Sequence, residues 1–109
     1  MEKGFVYLIN DWERDGVYKI GVTRGSIERR IKKLQTGNPD DLVTCRYYHT
    51  EHPFFIERQL HRRYAAFRVR DEWFELSNEE ALKFPQICKE IEEMIEIMKN
   101  NPFFPKKVK

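Results

Sequence analysis

Four residues of this sequence, Tyr7, Lys19, Arg29 and Glu57, have side chains suited to work on a phosphodiester. Hydrolysis of that bond needs an oriented water, neutralisation of the charge that gathers on the phosphoryl oxygens, and help for the leaving alkoxide. A phenol orients or deprotonates a water when a neighbouring cation lowers its pKa. A guanidinium binds the charge that builds on phosphorus. A single carboxylate can hold a hard divalent cation that keeps most of its waters. Tyr7 lies in the apolar run Phe5-Val6-Tyr7-Leu8-Ile9, and Lys19 follows twelve residues later within Tyr18-Lys19-Ile20-Gly21. Hairpin geometry can set two such positions side by side on one face. A packed core tyrosine is the commoner fate of a residue like Tyr7, whereas a lysine seldom points into a buried sheet face without a partner. Gly21 either lets a backbone or ligand come close or marks a bulge. On residue types alone this assembly is one possibility among many.

The elements that must position these side chains can be read from periodicity. Phe5 to Ile9 is a short continuous apolar run, the pattern of a central strand buried on both faces. Asp15-Gly16 is a turn signal, and Val17 to Val22 reads as the return strand of a hairpin. Ser26 can cap a helix whose apolar face carries Ile27, Ile31 and Leu34, with Arg29, Arg30, Lys32 and Lys33 elsewhere. Leu42 to Tyr48 is β-branched and aromatic enough for a third strand. Pro53 suits the first turn of a second helix, with Ile56, Leu60, Tyr64 and Phe67 as its buried stripe. Glu57 and His61, four residues apart, share an adjacent face of that helix. Trp73-Phe74-Glu75-Leu76 reads as a brief strand or an aromatic anchor. Ser77 with Glu80 makes a capping box for a third helical region, which Pro85 splits. Beyond it Ile87, Cys88, Ile91, Met94, Ile95 and Met98 form an apolar stripe.

The 109 residues fit one domain, and 40% apolar content is enough for a core. No apolar run approaches the roughly 18 residues of a membrane span, and Met1-Glu2-Lys3 leads into no secretory apolar region. A cytoplasmic protein is expected, or a nuclear one in a eukaryotic or viral setting. Cys45 and Cys88 give neither a disulfide framework nor a paired metal motif. The net charge of +2 says little, but its distribution says more. Residues 24–33 carry an excess of four positive charges, and residues 58–70 hold five arginines and no acid. Glu90, Glu92, Glu93 and Glu96 crowd the C-terminal segment. Most charge runs are solvated helix faces, but arginine-rich runs match phosphate oxygens. Arg24, Arg30, Lys33, Arg58 and Arg62 are the expected nucleic-acid contacts.

Phe5-Val6-Tyr7, followed by Tyr18-Lys19-Ile20-Gly21-Val22-Thr23, resembles the paired motifs of the GIY-YIG nuclease superfamily. The resemblance runs on through Arg29, eight residues after Gly21, to Leu34-Gln35-Thr36-Gly37-Asn38-Pro39. It resumes at Glu57-Arg58-Gln59-Leu60-His61 and closes at Glu72-Trp73-Phe74-Glu75-Leu76. The set is most similar to a compact branch found in phage and viral proteins and often named as a meiotically up-regulated gene family. The resemblance implies roles for the matching positions. Tyr7 becomes the general base or water-orienting group, Arg29 the stabiliser of the phosphoryl transition state, and Glu57 the sole protein ligand of Mg²⁺ or Mn²⁺. His61 contacts phosphate, shuttles a proton or braces Glu57. Two positions depart from the superfamily pattern: Lys19 stands where the second-motif tyrosine belongs, which is usual in this branch, and Phe5 replaces the first-motif glycine.

These readings together predict an α+β fold in the order ββαβα(β)α, with a small three-stranded antiparallel sheet flanked by helices. Residues 1–99 form one domain, with the motifs within 4–76, a helical region at 77–99 and a flexible tail at 100–109. The implied activity is metal-dependent hydrolysis of DNA by an endonuclease of low sequence specificity, acting as a monomer or weak dimer, with RNA as a further possible substrate. The competing expectation is a non-cutting nucleic-acid-binding module on the same fold, using Lys19, Arg29 and His61 only to hold phosphate.

Overall fold

In the computed structural model, which describes residues 3–11, 13–38 and 42–100 (Thr44 and Cys45 by backbone alone), a single sheet separates one helix from three others. The chain runs through β1 (Gly4–Asp11), β2 (Val17–Thr23), α1 (Ile27–Thr36), β3 (Leu42–Thr50) and α2 (Pro53–Arg63). A 3₁₀ turn at Ala65–Phe67 leads to β4 (Arg68–Arg70), β5 (Trp73–Glu75), α3 (Asn78–Leu82) and α4 (Phe84–Asn100). The sheet order is β3-β1-β2-β5-β4, antiparallel at every pairing.

The α+β class holds, but among the described residues the sheet has five strands rather than three. β5 had a signal in its aromatics. β4 had none, because all three residues of Arg68-Val69-Arg70 are exposed and carry no apolar alternation. It forms because β5 offers a free ladder edge.

β1 is the central strand that its apolar run predicts, with Val6, Tyr7, Leu8 and Ile9 all fully buried. Alternation sends Val6 and Leu8 to one face, where they join Ile20 and Phe74 beneath Ile56, Leu60, Phe84, Ile87 and Ile91. Tyr7 and Ile9 face the other way, against Ile27, Ile31 and Leu34 of α1, with Leu42 and Trp73 alongside. Each fully buried large side chain contributes about 1.5–3 kcal/mol, so the four central residues of β1 fix it between the two helical layers. Gly16 closes the hairpin at φ +77°, a left-handed conformation that glycine adopts without a Cβ clash.

Helix boundaries follow local chemistry. Ser26 accepts from Arg29 N at 3.1 Å, and Pro53 occupies the first turn of α2. Ser77 accepts from Glu80 N at 3.2 Å, but the capping box is only half made, since Glu80 Oε1 is taken by Tyr64 Oη at 2.5 Å. Pro85 lies in the first turn of α4, so the expected split between the two C-terminal helices is present. Two predicted core positions are exposed. Phe67 is 57% exposed because α2 ends at Arg63, and the tighter turn that follows breaks the helical phase. Met94 is 48% exposed, whereas Ile95 and Met98, further along α4, are half-buried. The predicted tail falls almost wholly on 101–109, outside the described residues.

Candidate active site

Tyr7 and Gly21 are paired across β1 and β2, and glycine is required there by the tyrosine itself. A Cβ on Gly21 would lie 2.5 Å from Tyr7 Oη and 2.7 Å from the ring carbon that bears it. The close approach that Gly21 permits is therefore that of the Tyr7 ring, which leans across β2. Its hydroxyl accepts from Arg30 Nε at 3.2 Å. That bond, more than any other influence, holds the Arg30 guanidinium in its charged form and raises its pKa.

Arg29 does not join this group. Its backbone N–H is spent on the Ser26 cap, and its side chain is exposed. The helix phase explains the exchange. At about 100° per residue, Arg30 falls some 60° from Ile27 on the wheel, beside Leu34, whereas Arg29 falls on the far side. The spacing that would have identified Arg30 was thus already in the sequence, in the Ile27, Ile31 and Leu34 stripe.

Lys19 pairs with Ile9 on one side and with Trp73 on the other, so it stands diagonally from Tyr7 and not beside it. The partner that a half-buried lysine requires is Glu72, whose Oε1 is 3.0 Å from Lys19 Nζ. The backbone delivers this contact: Ile20 N donates to Glu72 O at 3.1 Å. Asp71, left-handed at φ +48°, turns the chain from β4 into β5 just before it. Aspartate is one of the few residues that tolerate this region. Glu72 belonged to the last sequence motif but was given no role there, since its meeting with Lys19 spans 53 positions.

Glu57 and His61 extend from α2 past the free part of the β2 edge. His61 Nε2 lies 3.0 Å from Ile20 O and 4.0 Å from Glu57 Oε2. A carbonyl can only accept, so Nε2 carries the proton and Nδ1 is left with the lone pair that can accept a hydrogen bond or ligate a metal. Ligand atoms of Glu57, His61 and Glu72 all lie within 4.8 Å of one another. The Glu57 pKa is raised, first by burial and then by the Glu72 charge, with His61, Lys19 and Arg58 acting in the opposite sense. Two carboxylates whose oxygens stand this close, with a histidine beside them, fit a hard divalent cation. The Glu72 charge also supports the Arg30 cation, which links this cluster to the phenol and guanidinium on the sheet face.

Of the expected nucleic-acid contacts, Arg24, Lys33, Arg58 and Arg62 are exposed and Arg30 is half-buried on Tyr7. Arg24 lies over the Phe54 ring at 5.1 Å. A surface depression lies elsewhere, between β3 and α4. Its Glu92 accepts from Tyr48 Oη at 2.6 Å and from Thr50 Oγ1 at 2.5 Å. Both of its oxygens are thus committed to docking α4 on the sheet.

No curated protein and no solved structure matches the chain. The T5orf172 domain family matches residues 4–95, from the first strand into the last helix, and the chain belongs to that family.

Proposed function

We propose that the protein is a metal-assisted nuclease that hydrolyses phosphodiester bonds in DNA, of the GIY-YIG type that its motifs resemble. The observation that carries this reading is the Glu57–His61–Glu72 cluster of ligand atoms, tied by the Glu72–Lys19 ion pair to the strand that Tyr7 leans across beneath Arg30. The association of the T5orf172 family with nuclease-type domains supports it.

Arg30 takes the role that the resemblance assigned to Arg29. Tyr7 is fully buried beneath the guanidinium, so a phosphate that draws Arg30 onto its oxygens also uncovers the hydroxyl. Tyr7 then orients the attacking water, or takes its proton, as the new P–O bond forms and the bond to the leaving oxygen breaks in line. Arg30 offsets the charge that grows on the phosphoryl oxygens. Lys19, two residues before Gly21 on β2, supplies a second cation once Glu72 releases it. Glu57, joined by Glu72, would hold Mg²⁺ or Mn²⁺. When bound, such an ion supplies charge stabilisation for the leaving oxygen. His61, tied to Ile20 O, braces Glu57 from the side.

The test is cleavage of labelled DNA with Mg²⁺ or Mn²⁺. Glu57→Ala abolishes cutting, Arg30→Ala lowers the rate by about 10²–10³, and Arg29→Ala stays within a few-fold of the parent. Equal cutting by wild type and Glu57→Ala sinks the proposal. The burial of Tyr7 is the one observation that favours the second reading, a non-cutting binding module. In that case DNA affinity falls with salt equally with and without Mg²⁺, and no strand is broken.

A further inference from the structure

β3 is an edge strand, and its register on β1 places Tyr47 opposite Tyr7 and His49 opposite Phe5. Paired residues of an antiparallel ladder point to the same face, so Phe5, Tyr47 and His49 continue the face that carries Tyr7. Helix α1 covers only part of that face. Its apolar residues pack on Tyr7, Ile9, Leu42 and Trp73, and Phe5 marks the border. Beyond the border Tyr47 is 56% exposed, in edge contact with Phe5 at 5.7 Å between ring centroids. The exposed His49 ring stacks on Phe5 at 4.8 Å.

We infer that Tyr47, backed by Phe5 and His49, is a stacking platform for an unpaired base of a strand that enters the site across Tyr7, the residue paired with Tyr47, and this rests on the nuclease reading above. Charge complementarity selects the occupant. Phe5 pairs with Thr23, directly before Arg24, so the aromatic surface abuts the start of the segment Arg24 to Lys33, which holds five basic side chains against one acid. That pairing of flat rings with cations fits a polyanion whose bases are flat, and does not fit the aliphatic face of a partner helix. A base within a duplex already has both of its faces occupied, so only a single-stranded, flapped or frayed nucleotide can lie on Tyr47. The proposal thereby names the substrate class: nucleic acid that is unpaired on at least one side of the cut.

The experiment uses the full chain in EDTA, where no metal assists and nothing is cut. Binding is followed by the fluorescence of a short DNA strand carrying 2-aminopurine, alone and annealed to its complement. Tyr47→Ala with His49→Ala weakens single-strand binding by about fivefold to a hundredfold and removes the quenching of the probe. Tyr47→Phe, which keeps the ring, restores both, and duplex binding changes by less than about twofold in every variant. Equal losses on single strand and duplex, or no loss on either, overturn the platform. So does self-association of the wild type that the double variant abolishes while single-strand binding stays intact, because the patch would then serve a second copy. Failure of the nuclease reading is seen separately, as Glu57→Ala cutting like wild type, and leaves the metal-free stacking result standing.

Discussion

Glu57 carries a charge that burial and Glu72 oppose and that His61, Lys19 and Arg58 only partly support. Its folded-state pKa therefore lies above the ordinary 4.5, and the sign of the linkage follows. Below that ordinary value the carboxyl is neutral in both folded and unfolded chains, and it costs nothing. As pH rises through the folded pKa the group must ionise against its surroundings, and stability is lost. Glu57→Gln, metal-free, is accordingly expected to melt above wild type at pH 7, with the gap closing as the pH falls below 4.5. A gap that stays constant down to pH 4, or a lower melting temperature for the variant at pH 7, contradicts this account of the site. Mn²⁺ should reverse the order, since it stabilises only the chain that binds it, by about 2.7 kcal/mol at a hundredfold excess over Kd. A residue that weakens the fold when the site is empty and strengthens it when filled is one held for its chemistry.

At the level of strands and helices, the hairpin gives the sharpest expectation. Gly21→Ala places a methyl where Tyr7 Oη and its ring carbon lie, at 2.5 Å and 2.7 Å. Tyr7 must then shift or the strands must part, at a cost of about 1–3 kcal/mol. Calorimetry on Gly21→Ala, Tyr7→Leu and the double variant checks this: the glycine substitution should cost clearly less once the ring is gone, and additive costs would refute the contact. How far the site could be read from sequence follows from the range of each contact. The hairpin, the cap at Ser26 and the Glu57–His61 spacing are local, and each was legible. Arg30 was legible too, but only to a reader who set helix phase above motif spacing. Glu72 was not, because its place beside Lys19 depends on the β2–β5 ladder and on the left-handed turn at Asp71. The Tyr47 pairing was hidden for a related reason. The β1–β3 register shifts between Leu8 and Ile9, so the partner of Tyr7 cannot be counted out from either strand alone.

Across the whole molecule, charge is sorted by layer. α1 lies on the Tyr7 face, while acid-rich α4 is tied through Glu92 to Tyr48 and Thr50 on the opposite side of the sheet. A polyanion is repelled from the α4 side and drawn to the path from α1 round the β2 edge to α2. Not every arginine of the 58–70 run is available to that path. Arg63 is ion-paired with Glu80 at 3.7 Å, and Arg68 donates to Asp71 O at 2.7 Å. Arg58 and Arg62 lie exposed on α2, and Arg24, Arg30 and Lys33 around α1 complete the expected contacts. Five phosphate contacts give a slope of log affinity against log salt of about −3.5 for a single strand. Removing Arg58 or Arg62 should lower that slope by about one contact's worth each, uniformly across sequences. Arg63→Ala and Arg68→Ala should leave it nearly unchanged, because those guanidiniums are spent on the fold. Titrations of these four variants at several salt concentrations decide the matter. Equal slope changes from all four would mean that the polyanion is held by bulk positive charge, and that the path along the β2 edge does not exist.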